Sequence, residues 1–269
     1  MLRLASLVGA CVMLALADGT MLANAQTPGA GTAAGQPAHS PAPSARDAAG
    51  VAEPQLPEKL PAGSVVYRTL TGREAQVTFT SDAPLERIVG KSNAVMGYAI
   101  AGPADAPAKL VGATWVLPVR SLATGLPLRD EHIAARDWLD AEAHPAIQFV
   151  LTRIDDLKEV KKGDGFETWS GTLVGQMSLH GTTREIRVPD ARLSFLKASE
   201  KTRSIAPGDL LFLKCDYTVK LSDFGVRNGD VPSKVSDEVV LSQMLRMTTA
   251  DPRSSPPPAP AGGVTDPGR

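Results

Sequence analysis

From residue 75 to residue 248 the chain keeps returning to one rule: apolar side chains recur at every second position. Val77 and Phe79 alternate with Gln76, Thr78 and Thr80. Trp115, Leu117 and Val119 share one parity, and so do Ile147, Phe149 and Leu151. Gly171, Leu173, Gly175, Met177 and Leu179 make another apolar face, with Thr172, Gln176, Ser178 and His180 opposite. The run from Leu211 to Leu221 repeats the pattern, as do Val239, Leu241, Leu245 and Met247. A period of two sends successive side chains to opposite faces of a strand, so each run has one dry face and one wet face. Strands of this kind, separated by Gly- and Asp-bearing turns, suit an antiparallel sheet curled around its apolar side. Closing the sheet removes its exposed edges. The expectation is an all-β antiparallel barrel of about eight strands, whose interior is either filled by side chains or holds one small ligand.

One segment breaks the alternation. Arg129 to Asp140 reads RDEHIAARDWLD, which predicts a short helix over 130–140 inserted between strands. Asp130 is the expected cap, and Glu131 sits in the first turn, where the helix dipole favours negative charge. Leu128, His132, Ala135 and Leu139 fall on one face at 3.6 spacing, and that face is expected to pack on the barrel. Pro145 bars any continuation.

The two ends are not folding material. Arg3, the apolar run Leu4 to Ala17 and the small-x-small triplet Ala23-Asn24-Ala25 have the form of a secretory signal peptide, residues 1–25, cut after Ala25. The apolar run is shorter than the 18 or so residues that a membrane anchor needs. Val8-Gly9-Ala10-Cys11 loosely imitates a lipoprotein box, but the apolar core continues through Val12, Met13 and Leu14, where such a box ends it. Residues 26–62 are rich in Ala, Pro, Gly and Ser and read as a flexible linker; residues 251–269 have the same character. The folded domain is therefore expected within 63–250.

Composition excludes several classes of function. Lys+Arg total 28 against 29 Asp+Glu with no basic run, so there is no cationic stripe for nucleic acid. Nothing after the leader is apolar enough for stable membrane insertion. With two cysteines in all, removal of the leader leaves Cys215 alone, so no internal disulfide is expected despite export. Its parity with Leu211, Leu213, Tyr217 and Val219 predicts a buried, inert thiol.

Chemistry-bearing patterns are sparse. Of His39, His132, His144 and His180, only His132 shares a helix face with apolar residues, and Asp137 lies nearby in sequence. There is no HExxH and no i,i+4 histidine pair, so no metal site is expected, and a structural histidine is the preferred reading. No GxSxG elbow, activated cysteine, phosphate loop or dinucleotide fingerprint is present, so neither a catalytic residue nor a cofactor is assigned. The acidic residues Glu131, Asp137, Asp140 and Glu142 read as a solvated helix face.

Three blocks carry a resemblance. The first is Leu117 to Phe149, LPVRSLATGLPLRDEHIAARDWLDAEAHPAIQF; the second is Gly171-Thr172-Leu173 with Leu179 to Ile186, LHGTTREI; the third is Leu221 to Val226, LSDFGV. In this order they resemble the YceI-like family of lipid- and polyisoprenoid-binding proteins, over residues 63–248. The resemblance implies a lipocalin-like barrel and an exported, periplasmic binding protein holding an amphiphilic lipid, polyisoprenoid or fatty-acid-like. In such a barrel the dry faces offer Phe79, Trp115, Leu117, Phe149, Leu173, Met177, Leu213, Tyr217 and Val219 as cavity lining. Arg120, Arg129 and His132 are the candidates for the mouth, where a polar head group would sit. An aliphatic chain entering gains about 0.8 kcal/mol per buried CH₂, so tight binding needs no catalytic group. The alternative is that the same residues fill a packed core and the barrel serves as an interaction or stress-response module.

Overall fold

The computed structural model describes residues 50–251, apart from 73, 104, 105 and 107. The expected leader with its cut after Ala25, most of the expected linker and the proline-rich tail lie outside the described residues. Residues 50–62, the described end of the linker, carry no strand or helix, and Glu53 there reaches Arg68 at 3.7 Å.

The alternating runs form ten strands. They are β1 (Val65–Thr69), β2 (Val77–Asp82), β3 (Arg87–Ser92), β4 (Met96–Ala101), β5 (Gly112–Pro118), β6 (Ala146–Gly163), β7 (Phe166–Leu179), β8 (Thr182–Leu196), β9 (Leu210–Lys220) and β10 (Glu238–Thr248). All pair antiparallel, in the order β1-β4-β5-β6-β7-β8-β9-β10-β2-β3. A further pairing of β1 with β10, Arg68 to Thr248 and Thr69 to Met247, closes eight of them into a barrel. The β2–β3 hairpin extends it, because β10 pairs with β1 at one end and with β2 through Val239 to Gln243 at the other.

Gln76 explains how β1 and β2 share one neighbour without being one strand. Its side-chain nitrogen donates to the Leu70 and Val95 carbonyls (3.1 and 3.2 Å), and its side-chain oxygen accepts from the Val95 N–H (2.7 Å). A buried amide is tolerated when its hydrogen bonds are made, and here three are made across the break. Gly97 serves the neighbouring strand. It sits at φ +141°, and an added Cβ would lie 2.1 Å from the Thr114 carbonyl oxygen, so only glycine lets β4 and β5 approach this closely.

Tight turns follow the residue chemistry. β7 and β8 are joined by His180 and Gly181, both left-handed (φ 50° and 72°), as a two-residue hairpin whose twist matches its strands requires. Beyond Leu151, β6 has no partner on the β5 side. That free edge carries three register shifts against β7, together with Lys158, Lys161 and Lys162, devices that discourage pairing with another chain.

The inserted helix is displaced from its expected position. α1 spans Pro127–Ala134, not 130–140, and its N-cap is Leu126 with Pro127 in the first turn. The pre-set φ of proline starts the helix, a stronger local signal than the carboxylate three residues on. Asp130 does not cap; its carboxylate instead accepts from the Thr124 N–H (2.7 Å) and hydroxyl (2.6 Å), tying down the preceding loop. The shift rotates the buried face. Leu128 and His132 are exposed, His132 at the rim of the interior, whereas Ala134, Ile133 and, beyond the helix, Trp138 and Leu139 join the core. A second helix of a single turn only, α2 (Glu200–Arg203), begins at a reciprocal Ser199–Thr202 capping box.

Candidate ligand-binding cavity

The strands turn their dry faces to one interior. On β9, Leu211, Leu213, Cys215, Val219 and, just past the strand, Leu221 are buried, while Lys214, Asp216, Thr218 and Lys220 face solvent. The half of the barrel nearest β10's start is not filled. It holds a cavity of about 280 Å³, close to the lower bound of the roughly 300–1,000 Å³ of small-molecule sites.

All nine residues singled out in the sequence, Phe79, Trp115, Leu117, Phe149, Leu173, Met177, Leu213, Tyr217 and Val219, lie on the wall of this cavity. Trp115 and Phe149, paired across β5 and β6, stack with ring centroids 6.0 Å apart. Phe79 lies over Gly90, its cross-strand partner, where a Cβ would meet the ring at 2.2 Å. The Trp115 indole N–H is buried and has no partner among the described residues.

One polar group in the interior has no counterpart among those sequence candidates. Gln243 on β10 donates to the Tyr217 hydroxyl (2.9 Å), and its oxygen takes a weak hydrogen bond from the Cys215 thiol (3.6 Å). Burial, followed by the nearby charge of Asp216, pushes the Cys215 thiol up to about 12, so it stays protonated. Burial, with a smaller contribution from Cys215, pushes the Tyr217 phenol well above its ordinary value too. Gln243 is visible in principle: it is the polar residue that interrupts the inward parity of Val239, Leu241, Leu245 and Met247.

The opening is framed by three segments. The turn after β2 supplies Glu86, α1 supplies Arg129 and His132, and the loop before β10 supplies Asp230 and Lys234. Arg129 forms an ion pair with Glu86, Lys234 pairs with Asp230 at 2.9 Å, and the Leu85 N–H donates to the Ser233 carbonyl across the gap. Asn228 donates to the Asp137 carboxylate at 3.0 Å, which ties the same loop to the segment after α1. Of the three mouth candidates, Arg129 and His132 border the cavity; Arg120 is exposed in the 3-10 turn after β5 and does not line it. Glu86, Asp230 and Lys234 come from loops, and no periodicity in the sequence brings them together. No helix among the described residues is long and apolar enough to cross a membrane. No three His, Cys, Asp or Glu side chains among them converge as metal ligands.

A profile of the YceI-like domain matches residues 69–246, the whole of the barrel from the end of β1 into β10. The chain belongs to the YceI-like family. Among curated relatives, UPF0312 proteins of Pseudomonas putida strains W619 and GB-1 are 28% and 27% identical over 111 residues, 40% of this chain. The chain spans about half, 49%, of the length of each of these curated relatives. Among solved structures, Burkholderia cenocepacia BcnA is 20% identical with a TM-score of 0.46, covering 64% of this chain and 95% of that one. A polyisoprenoid binding domain from Saccharophagus degradans is 13% identical with a TM-score of 0.48, covering 68% and 98%.

Proposed function

We propose that this YceI-like domain is an exported, periplasmic carrier that binds the apolar chain of an amphiphilic lipid, polyisoprenoid or fatty-acid-like, without chemical conversion. The observation that carries this reading is the unfilled apolar cavity inside an otherwise closed barrel, opening at a mouth of paired charges. Periplasmic placement rests on the leader sequence ending at Ala25.

The cavity bounds what enters. At the share of about 30 Å³ that one water occupies in the liquid, 280 Å³ takes on the order of nine methylene-sized groups. Burying them supplies about 7 kcal/mol of transfer free energy before the cost of association. A longer chain must leave through the mouth or displace a flexible wall residue such as Met177. The head group then meets Arg129, Lys234 and His132, and an anionic head competes with Glu86 and Asp230 for the two permanent cations.

The test is native mass spectrometry of protein purified from its own host, with extraction and identification of the bound lipid. A defined amphiphile at one per barrel supports the carrier. Protein that is empty, and that takes up no lipid when offered fatty acid or polyprenol, supports the packed-barrel interaction module instead.

A further inference from the structure

A second cavity, of about 220 Å³, lies at the other end of the barrel, between the β6–β7 turn, the end of β8, the residues before β9 and Tyr67 of β1. Strand register separates it from the first. Asp209, just before β9, borders the lower cavity and Leu213 on β9 the upper, while Leu211 between them is fully buried and borders neither. Leu193 on β8 and Met247 on β10 complete the plug.

Aromatic and acidic groups share its wall. Tyr67 packs edge-on against Phe195, with centroids 5.9 Å apart, and is 4% exposed, yet its hydroxyl has no hydrogen-bond partner among the described residues. Glu167 and Asp209 border the same cavity as Tyr67; burial, then the charges of Asp209 and Glu167, push this phenol up to about 12, so it stays protonated. Asp209 is already satisfied, accepting from the Lys197 ammonium (3.0 Å) and the Ala198 N–H (2.8 Å). Glu167 is not. Its Oε2 has only the Lys162 ammonium at 3.8 Å, beyond hydrogen-bond distance, and its buried Oε1 has no partner among the described residues. Both lysines on the wall are about two-thirds exposed, so they belong to the rim.

The geometry points to a second binding site, independent of the lipid cavity, for a small organic cation: a primary ammonium on a short apolar body. An acceptor-only oxygen asks for a donor, and an ammonium brings three together with the charge a carboxylate favours. The Tyr67 hydroxyl accepts a second of those protons, and the Tyr67 and Phe195 rings offer an apolar and π-bearing wall for the rest of the molecule. The phosphate and carboxylate classes are disfavoured, because the Glu167 and Asp209 carboxylates line the wall and both cations are at the rim.

Butylammonium chloride is the probe, with butan-1-ol as its neutral counterpart, titrated into the full-length protein and followed by amide NMR shifts. Saturable shifts with the ammonium salt, centred on Gly163, Gly165, Lys197 and Asp209 and absent with the alcohol, are expected. Glu167→Gln should weaken this binding by about tenfold or more and Tyr67→Phe severalfold. Both variants are near-isosteric, and unchanged retention of a fluorescent fatty acid in the upper cavity shows that each is folded. Shifts that grow without saturating, an equal response to the alcohol, or full affinity in Glu167→Gln would overturn the assignment and leave water as the occupant. If Glu167→Gln does not fold, saturation and the location of the shifts in the unaltered protein decide the matter alone.

Discussion

Val219→Phe separates a cavity from a packed core by a single change. Val219 is 6% exposed, sits opposite Val239 on the neighbouring strand and faces the open part of the interior. Phenylalanine keeps a high strand propensity and adds no polar atom that needs a partner. It adds roughly four heavy atoms to the available space, each taking the place of about one methylene of a bound chain. A bound chain then loses on the order of four methylene contacts, or about 3 kcal/mol, which is roughly two hundredfold in affinity. The protein itself loses little, because the ring enters space that was empty; a melting temperature within about 3 °C of the parent is expected. The assays are a titration with a fluorescent long-chain fatty acid and a thermal melt on the same samples. A melting temperature lowered by the equivalent of about 1–3 kcal/mol of overpacking, with fatty-acid affinity unchanged, would refute the reasoning. It would mean that the ring had no void to enter and that lipid binds elsewhere.

Arg129→Ala removes the ion pair with Glu86 at the mouth; both partners are partly exposed, so stability should change by less than about 1 kcal/mol. Stopped-flow exchange of bound fatty acid should nonetheless quicken severalfold. Gly97→Ala forces a methyl to within 2.1 Å of the Thr114 carbonyl and holds alanine at φ +141°, so urea denaturation should show a loss of more than about 3 kcal/mol. Cys215 should resist a thiol reagent in native buffer and react fully in denaturant, since its thiol is buried and its ionisation pushed up to about 12. The same shift predicts alkaline sensitivity. Cys215 and Tyr67 hold their protons to higher pH folded than unfolded, so their stabilisation is complete below about pH 9 and is lost as pH rises toward 12. Urea midpoints should therefore fall from pH 9 to pH 11, and fall less in Cys215→Ala.

Parity in the sequence reaches far into the fold because a strand slip of one residue exchanges its wet and dry faces. With Leu213, Tyr217 and Val219 on a common face, Met177, Leu173 and the paired Trp115 and Phe149 have to meet them inside a closed sheet. The helix is less legible. Asp130 and Pro127 are both start signals, and giving the carboxylate precedence places the expected helix three residues too far along the chain and turns Leu128 inward, whereas that side chain is 66% exposed. The break between β1 and β2 is also hidden, because it depends on Gln76 bonding to residues 6 and 19 positions away.

Polar residues at inward positions carry a further signal. An amide buried in an apolar barrel costs several kcal/mol unless bonded, so Gln243 on a dry face implies partners by its position in the alternation alone. Those partners, Tyr217 and Cys215, sit on the adjacent strand at registers two residues apart, and together the three form a polar belt across the cavity wall. The same logic distinguishes the two ends of the barrel. In the upper cavity the belt is satisfied internally, and the group left without a partner on the wall is the Trp115 indole N–H, a donor. In the lower cavity the buried atom left without a partner is Glu167 Oε1, an acceptor, so the group proposed to enter there brings a donor. One barrel thereby presents two chemically distinct interiors, and the packed layer of Leu193, Leu211 and Met247 is what keeps them apart.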